Sequence, residues 1–311
     1  MNKALDIINN MEKIIIGKRK VIENMVIALL AEGHILIEDV PGVGKTKCAE
    51  ALAKSINGTF NRIQFTPDVM ASDITGFTMY NNKTCDFEYK EGVAFCNFLL
   101  GDEINRASSK TQSSLLEVME EKQITVDGVT RKVPDVFMVI ATENPIESTG
   151  TNKLPEAQMD RFMFRISIGY PRKEEEKEML KRYSYENPLK AIKHVASVQD
   201  VIEMQREVNH VHVSESIEDL IMSIVFKTRE SDKIELGVSP RGSMCLYRAS
   251  KAKAYINNRD FVLPEDVASI VSEVLNHRII LSSSAISNGF EAEYVLKDIL
   301  NSSLREHSKV L

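Results

Sequence analysis

The chain has 311 residues, 43% apolar and 27% charged, which is ordinary for a soluble globular protein long enough for about two domains and a large core. A formal net charge of −6 argues against a protein held to nucleic acid or anionic membrane by bulk charge. The lack of tryptophan, with only 6% aromatic residues, argues against base stacking as a main binding mode.

From Ala4 to about Glu32 the sequence reads as helical, with an interruption near Gly17. The stretch VIENMVIALLAEG places Val21, Ile22, Met25, Val26, Leu29 and Leu30 on one helical stripe. HILIED then reads as a short buried strand, followed by the loop PGVGKT and a helix KTKCAEALAKSI. FNRIQF, CNFLLGD, VFMVIATEN and FRISIGY are further strand candidates, with helices between most of them, SKTQSSLLEVMEEK included. Strands alternating with helices predict a mostly parallel sheet covered on both faces.

Two segments interrupt the alternation. Thr75–Glu91 holds polar and aromatic runs around a turn-like Asn81-Asn82-Lys83. Gln123–Val133 carries Asp127-Gly128 between β-prone runs, a hairpin signal; it reads equally as a surface hairpin or as a loop that touches a partner. After Pro171 the texture becomes charged and helical, with nothing strand-like of any length. The division expected is an α/β core over 1–171 and a helical part over 172–311. The run RKEEEKEMLKRY is expected as a solvated helix face.

Cys48, Cys85, Cys96 and Cys245 form no C-x-x-C pair and no zinc spacing, so free thiols in a reducing compartment are expected. No apolar run approaches the ~18 residues of a membrane span. The start MNKALDIINNMEK lacks a signal peptide's apolar stretch, and a cytoplasmic location is expected.

The loop carries the chemistry. A phosphate-binding loop needs Gly, four free positions, then Gly-Lys-Ser/Thr. Gly44, Lys45 and Thr46 satisfy the end of that pattern, but the opening glycine falls on Asp39. Gly42 and Gly44 let the backbone come close to an anion, Pro41 stiffens the turn, and the following helix aims its positive end at the phosphates. Lys45 would reach the β- and γ-phosphates and Thr46 would offer its hydroxyl to Mg²⁺. Position 39 lies at the strand exit, where an Asp tolerates unusual backbone angles; a nucleotide site is expected despite it.

FLLGDEIN ends an apolar run in Asp102 and Glu103. Beside a phosphate loop, the first suits the water shell of Mg²⁺ and the second the activation of an attacking water. Seen alone, the pair reads as an acidic turn. VFMVIATENP delivers Asn144 at another strand end, although Asn before Pro also forms turns. Arg161 in QMDRF and Arg241 in GVSPRGS suit the stabilisation of a γ-phosphate's transition-state charge. Each taken singly reads as a surface salt-bridge residue, and their joint order with the loop, the acid pair and Asn144 is what raises them.

That ordered set resembles the MoxR family of AAA+ ATPases. The matching pieces are GHILIEDVPGVGKT, LLGDEINRASSKTQSSLLEVMEEKQITVDG, IATENPIESTGTNKLPEAQMDRF and GVSPRGSMCLYRASKAKAY, and the likeness runs from about Ile16 to Leu281. The family itself often carries Asp where Asp39 stands. The resemblance implies a P-loop αβα core with strand order 5-1-4-3-2, an all-α lid, and a ring, usually a hexamer, with ATP at subunit interfaces. It implies that Pro41, Gly42, Val43, Gly44, Lys45, Thr46 and Lys47 bind ATP, with Thr46 and Asp102 holding Mg²⁺ largely through water. Glu103 would complete the acid pair and Asn144 would be the first sensor. Arg161 would be the arginine finger and Arg241 the second sensor, acting on its own or a neighbour's ATP. Ile16 and Gly17 would open the adenine-pocket segment, with Lys18 in place of the commoner Gln. Thr75–Glu91 would be the insertion in the second helix, where EGVAF departs from the usual run, and Gln123–Val133 the hairpin before the first sensor. A chaperone-like remodelling role follows, with a protein client such as a von Willebrand factor A domain protein; a nucleic-acid motor and a metal-chelatase-like subunit are the alternatives. A small-molecule kinase or a nucleotide-gated scaffold would share the loop but need no ring.

Overall fold

A computed structural model describes residues 2–145, 152, 154–183, 189 and 192–310. Two helices open the chain, α1 (Lys3–Glu12) and α2 (Arg19–Leu30). Between them Gly17 adopts a left-handed φ of 72°. A five-stranded sheet follows, built from β1 (Ile35–Glu38), β2 (Phe60–Gln64), β5 (Phe98–Asp102), β8 (Met138–Glu143) and β9 (Phe164–Ile166). Its order is β2-β5-β8-β1-β9 with every pair parallel, the topology the family resemblance implied. Every residue of β5 is buried, as is all of β8 except its last residue, which explains why these strands read as unbroken apolar runs.

The sheet separates two apolar layers. Ile35, Ile37, Leu100, Met138 and Ile140 face the side covered by α1, α2 and α3 (Lys45–Ile56). Leu36, Leu99, Val139 and Ala141 face the side of α5 (Ser109–Glu121), with Leu115, Leu116 and Met119 against them. The second-helix position holds only α4 (Ala71–Thr75), after which the chain leaves as the antiparallel hairpin β3 (Phe77–Asn81) and β4 (Asp86–Lys90). The second hairpin, β6 (Gln123–Val126) and β7 (Val129–Lys132), turns at Asp127 and Gly128, both at positive φ, as the Asp-Gly signal demands. Arg131 stacks over Tyr89 at 3.7 Å from the ring centroid and so joins the two hairpins.

The short α6 (Glu156–Met159) precedes β9, and α7 (Lys173–Tyr183), α8 (Val198–His210), α9 (Glu215–Glu230), α10 (Pro240–Ile256), α11 (Pro264–Ala268), α12 (Val271–Leu275), α13 (Ser283–Ser287) and α14 (Ala292–Val310) follow it. α9 packs along α14, and α10 packs on α2, joining this helical part to the core. The helical part also holds a small antiparallel ribbon that the sequence reading did not anticipate, β10 (Ile234–Leu236) paired with β11 (Ile280–Leu281). Strands of three and two residues are too short to leave a period-2 signature. All four cysteines are free, and burial pushes the Cys48 and Cys96 thiols up to about 12.

Candidate functional site: a phosphate cradle and a separate arginine cleft

The parallel register brings the exits of four strands level. Gln64 pairs with Asp102 and Glu38 with Glu143, so residues just past them share one edge of the sheet, where ligands of such folds bind. The loop after β1 supplies the cradle. Gly42 has φ 87° and Gly44 φ 99°, angles that L side chains rarely adopt, and a Cβ at either would meet only open space. The constraint there is therefore backbone conformation together with room for an incoming group. Gly44 leads α3 without a side-chain cap, which leaves the first N–H groups of that helix turned toward the cleft.

The structure brings Pro41, Gly42, Gly44, Lys45, Thr46, Lys47, Asp102, Glu103 and Asn144 together along one cleft of about 330 Å³. Val43 does not line it; its side chain packs against the core. Gly17 lies elsewhere too, closed against Glu175 of α7, where an added Cβ would fall 2.1 Å from the carboxylate. Lys45 donates to the backbone carbonyls of Asp39 and of Glu143, the latter at 3.2 Å. Burial lowers its pKa from the ordinary value, against the opposing pull of Asp39, Asp102, Glu103 and Glu143.

Three more residues line the cleft that sequence reasoning missed: Arg62, Gln64 and Thr142. Thr142 donates its hydroxyl to Asp102 Oδ1 at 3.2 Å and accepts the Glu103 N–H at 3.0 Å, so one side chain orders both acids. Arg62 Nε donates to Asp102 Oδ2 at 2.7 Å. Glu103 sits in the left-handed region, φ 57° and ψ 52°, an outlier of the kind held only where surroundings enforce it. Its Oε2 accepts from Gln64 Nε2 and from Arg106 Nε, both at 2.9 Å. The signal for Arg62 and Gln64 was their period-2 spacing in FNRIQF, which puts both on one face of β2 at the strand's exit.

Asp39 turns out to have a job of its own. Its Oδ2 accepts from the backbone N–H groups of Ile168 and Gly169, each at 2.7 Å, and from Ser167 Oγ at 3.0 Å, while Oδ1 accepts the Val40 N–H at 2.9 Å. The carboxylate ties the start of the phosphate loop to the chain leaving β9. Asp39 is not among the positive-φ residues, so the reason for Asp here is this anchor and not tolerance of an unusual backbone angle.

Arg161 and Arg241 come together, but not at the cradle. Both pair with Glu120 at the end of α5, Arg161 Nε at 3.2 Å from Oε2 and Arg241 through an even closer contact with Oε1. They line a cleft of about 250 Å³ with Lys122 and Arg248, and this cleft shares no lining residue with the phosphate cradle. Part of the motif block upstream of Arg161, residues 146–151 and 153, lies outside the described residues.

Comparison with known proteins gives the same outline. Residues 34–164 match the ATPase family associated with various cellular activities (AAA), and residues 226–299 match an AAA lid domain. The chain is 39% identical over 298 residues to the chaperone MoxR1 of Mycobacterium tuberculosis, covering 93% of this chain and 78% of that one. It belongs to the MoxR family of AAA+ ATPases. The chain is also 46% identical over 301 residues to the uncharacterized protein YeaC of Bacillus subtilis, covering 97% of this chain and 93% of that one. A crystal structure from Cytophaga hutchinsonii, described as a "putative ATPase", superposes with a TM-score of 0.90 at 42% identity, covering 96% of this chain and 94% of that one.

The donor set fits the nucleotide and metal that AAA ATPases use. Among the described residues no cluster of three or more His, Cys, Asp or Glu could cage a metal ion. Mg²⁺ typically keeps several waters and binds through one or two protein oxygens plus substrate phosphates, and the cleft offers Thr46 and Asp102 for that.

Proposed function

We propose that this chain hydrolyses ATP at the interfaces of a homo-oligomeric ring, a hexamer by family resemblance, and uses the cycle to remodel or mature a protein client. The observation that carries this reading is the placement of Arg161 and Arg241, paired on Glu120 in a cleft that shares no residue with the phosphate cradle of their own subunit. Two guanidiniums set apart from the cradle are suited to another subunit's triphosphate, and this favours action in trans for Arg241 as well as for Arg161.

The chain's own groups then divide the work. Loop N–H groups and Lys45 bind the β- and γ-phosphates, the ammonium leaving the carbonyls of Asp39 and Glu143 to do so. Mg²⁺, when bound at Thr46 and Asp102, would offset charge on the phosphate oxygens. Asn144 orients the attacking water, and Glu103 takes its proton once its carboxylate turns from Gln64 and Arg106. A neighbour's Arg161 and Arg241 stabilise the charge that spreads over the γ-phosphoryl group.

A relative described as a chaperone supports a protein client. So do the paired hairpins, which leave Phe77, Met79, Tyr80, Phe87 and Val129 exposed. A client bearing a von Willebrand factor A domain belongs to this proposal through the family resemblance. Among the described residues no helix is long and apolar enough to cross a membrane, and the proposed place of action is the cytoplasm.

The test is hydrolysis per subunit across a dilution series, with oligomer size measured in parallel. The specific rate is expected to fall as the oligomer dissociates. Arg161→Ala is expected to retain ATP binding and lose hydrolysis by about 10³-fold or more. A monomer that hydrolyses at the full rate, or an Arg161→Ala protein of undiminished turnover, would overturn the reading.

A further inference from the structure

Arg278 is the most enclosed guanidinium whose contacts bear on the arginine cleft, its side chain 1% exposed in the turn after α12. Four of its seven side-chain hydrogen bonds go to the residues around Arg161, and the others to Val274, His277 and Cys245. Its Nε donates to Asp160 Oδ1 at 2.8 Å, and its NH2 donates to the carbonyls of Asp160 at 2.9 Å and Phe162 at 2.6 Å. Its NH1 donates to the carbonyl of Met163 at 3.2 Å and to that of Val274. The residues on both sides of Arg161 are thus held by one buried cation from the helical part of the chain.

The same device reaches Arg241. The second oxygen of Asp160 accepts from Ser239 Oγ at 2.8 Å, and Ser239 caps α10 by accepting the Gly242 N–H at 3.1 Å. Arg241 lies between those two residues in sequence. Gly242 is what lets Arg278 pass beneath the helix start, since a Cβ there would fall 2.8 Å from Arg278 Cδ and 2.5 Å from Val238 Cγ1.

A simple joint between core and helical part is the plainer reading. Burying a guanidinium is a poor way to make one, because its desolvation offsets most of the attraction and well-packed apolar side chains would join the parts as well. What an arginine adds is direction: a planar fork of donors fixes the angles of several carbonyls at once. We propose that Arg278, acting through Asp160, is the positioning residue that holds Arg161 and Arg241 in one geometry for presentation to the neighbouring subunit's ATP. This rests on the shared-site reading above.

The test uses full-length variants Arg278→Met and Asp160→Asn, mixed with Lys45→Ala subunits, whose own cradle is disabled but whose arginines are intact. Arg278→Met alone is expected to lower kcat by about 10²-fold with little change in KM for ATP, the signature of an interaction made in the transition state. Asp160→Asn, which keeps shape and one acceptor, is expected to fall between it and wild type. In the mixture, hydrolysis per Arg278→Met subunit is expected to recover by about 10-fold or more, because Lys45→Ala neighbours supply well-placed arginines to its intact cradle. Arg161→Ala with the same partner is the control. Arg278→Met at wild-type rate alone would overturn the positioning role. So would failure of rescue for Arg278→Met where Arg161→Ala is rescued, since that marks a fold defect and not displaced arginines. If Arg161→Ala is neither slowed nor rescued, the shared site itself is wrong, and the positioning role goes with it.

Discussion

Replacing Asp39 by glycine would restore the textual phosphate-loop pattern, and the structure says that it should do harm. The Asp39 carboxylate, 7% exposed, accepts three backbone N–H groups and one hydroxyl. Ile168 is buried, so its N–H would be left without an acceptor, while Ser167 is exposed and Val40 and Gly169 are half-buried and can recruit water. A hydrogen bond to a charged acceptor contributes about 1.5–3 kcal/mol and an orphaned buried donor costs about 1–3 kcal/mol. Counting the Ile168 bond in full and the others as exchanged with water, the loss is about 1.5–3 kcal/mol. The added chain entropy of glycine contributes about 0.5–1 kcal/mol more. In urea unfolding at neutral pH, a slope of roughly 3 kcal/mol per molar turns this into a midpoint lower by about 1 M at unchanged slope. Asp39→Asn, which keeps the shape and loses the charge, should lie between the two. An Asp39→Gly protein as stable as wild type would refute the anchor, and a more stable one would reinstate the missing glycine as a defect.

Glu103→Gln is expected to bind ATP normally and to lose turnover by about 10²–10³-fold, measured by nucleotide binding and phosphate release on the same preparation; equal turnover would remove Glu103 from the proton-accepting role. Stability should fall on mild acidification. Burial holds the His34 imidazole at about 4 against an ordinary 6.5, and burial beside Arg278 lowers His277 as well. Both are neutral when folded, so the unfolded chain binds more protons below about 6.5. The stability is full above that value and declines as pH drops toward 4, with His34 contributing on the order of 3 kcal/mol from its shift. Denaturation at pH 7.5 and pH 5 checks this: His34→Asn should be weaker at pH 7.5 yet lose less on going to pH 5, and an unaltered slope would exclude His34 as its source.

The sequence carried most of the cradle because its parts are local. A left-handed backbone at Gly42 and Gly44, an uncapped helix start and Lys45-Thr46 are set by neighbours in the chain, and the Asp-Gly turn of the second hairpin is local in the same way. The strand runs were legible because strands buried on both faces must be apolar throughout. Val43 and Gly17 show the limit of reading a motif as a list of contacts. Val43 belongs to the loop yet packs inward, and Gly17 is spent on closeness to Glu175.

What the chain order determined by itself was the kind of protein: a phosphate loop, an acid pair, an Asn at a strand end and two arginines in a fixed succession on a parallel α/β core. What only the tertiary structure decided was which of these stand together. Strand register set Thr142 between Asp102 and Glu103, although it lies about forty residues further along the chain. Packing of the helical part brought Arg241 to Glu120 from 121 residues away and Arg278 to Asp160 from 118. Such meetings depend on where whole elements dock, through the summed burial of many apolar side chains, and no short window of sequence holds that sum.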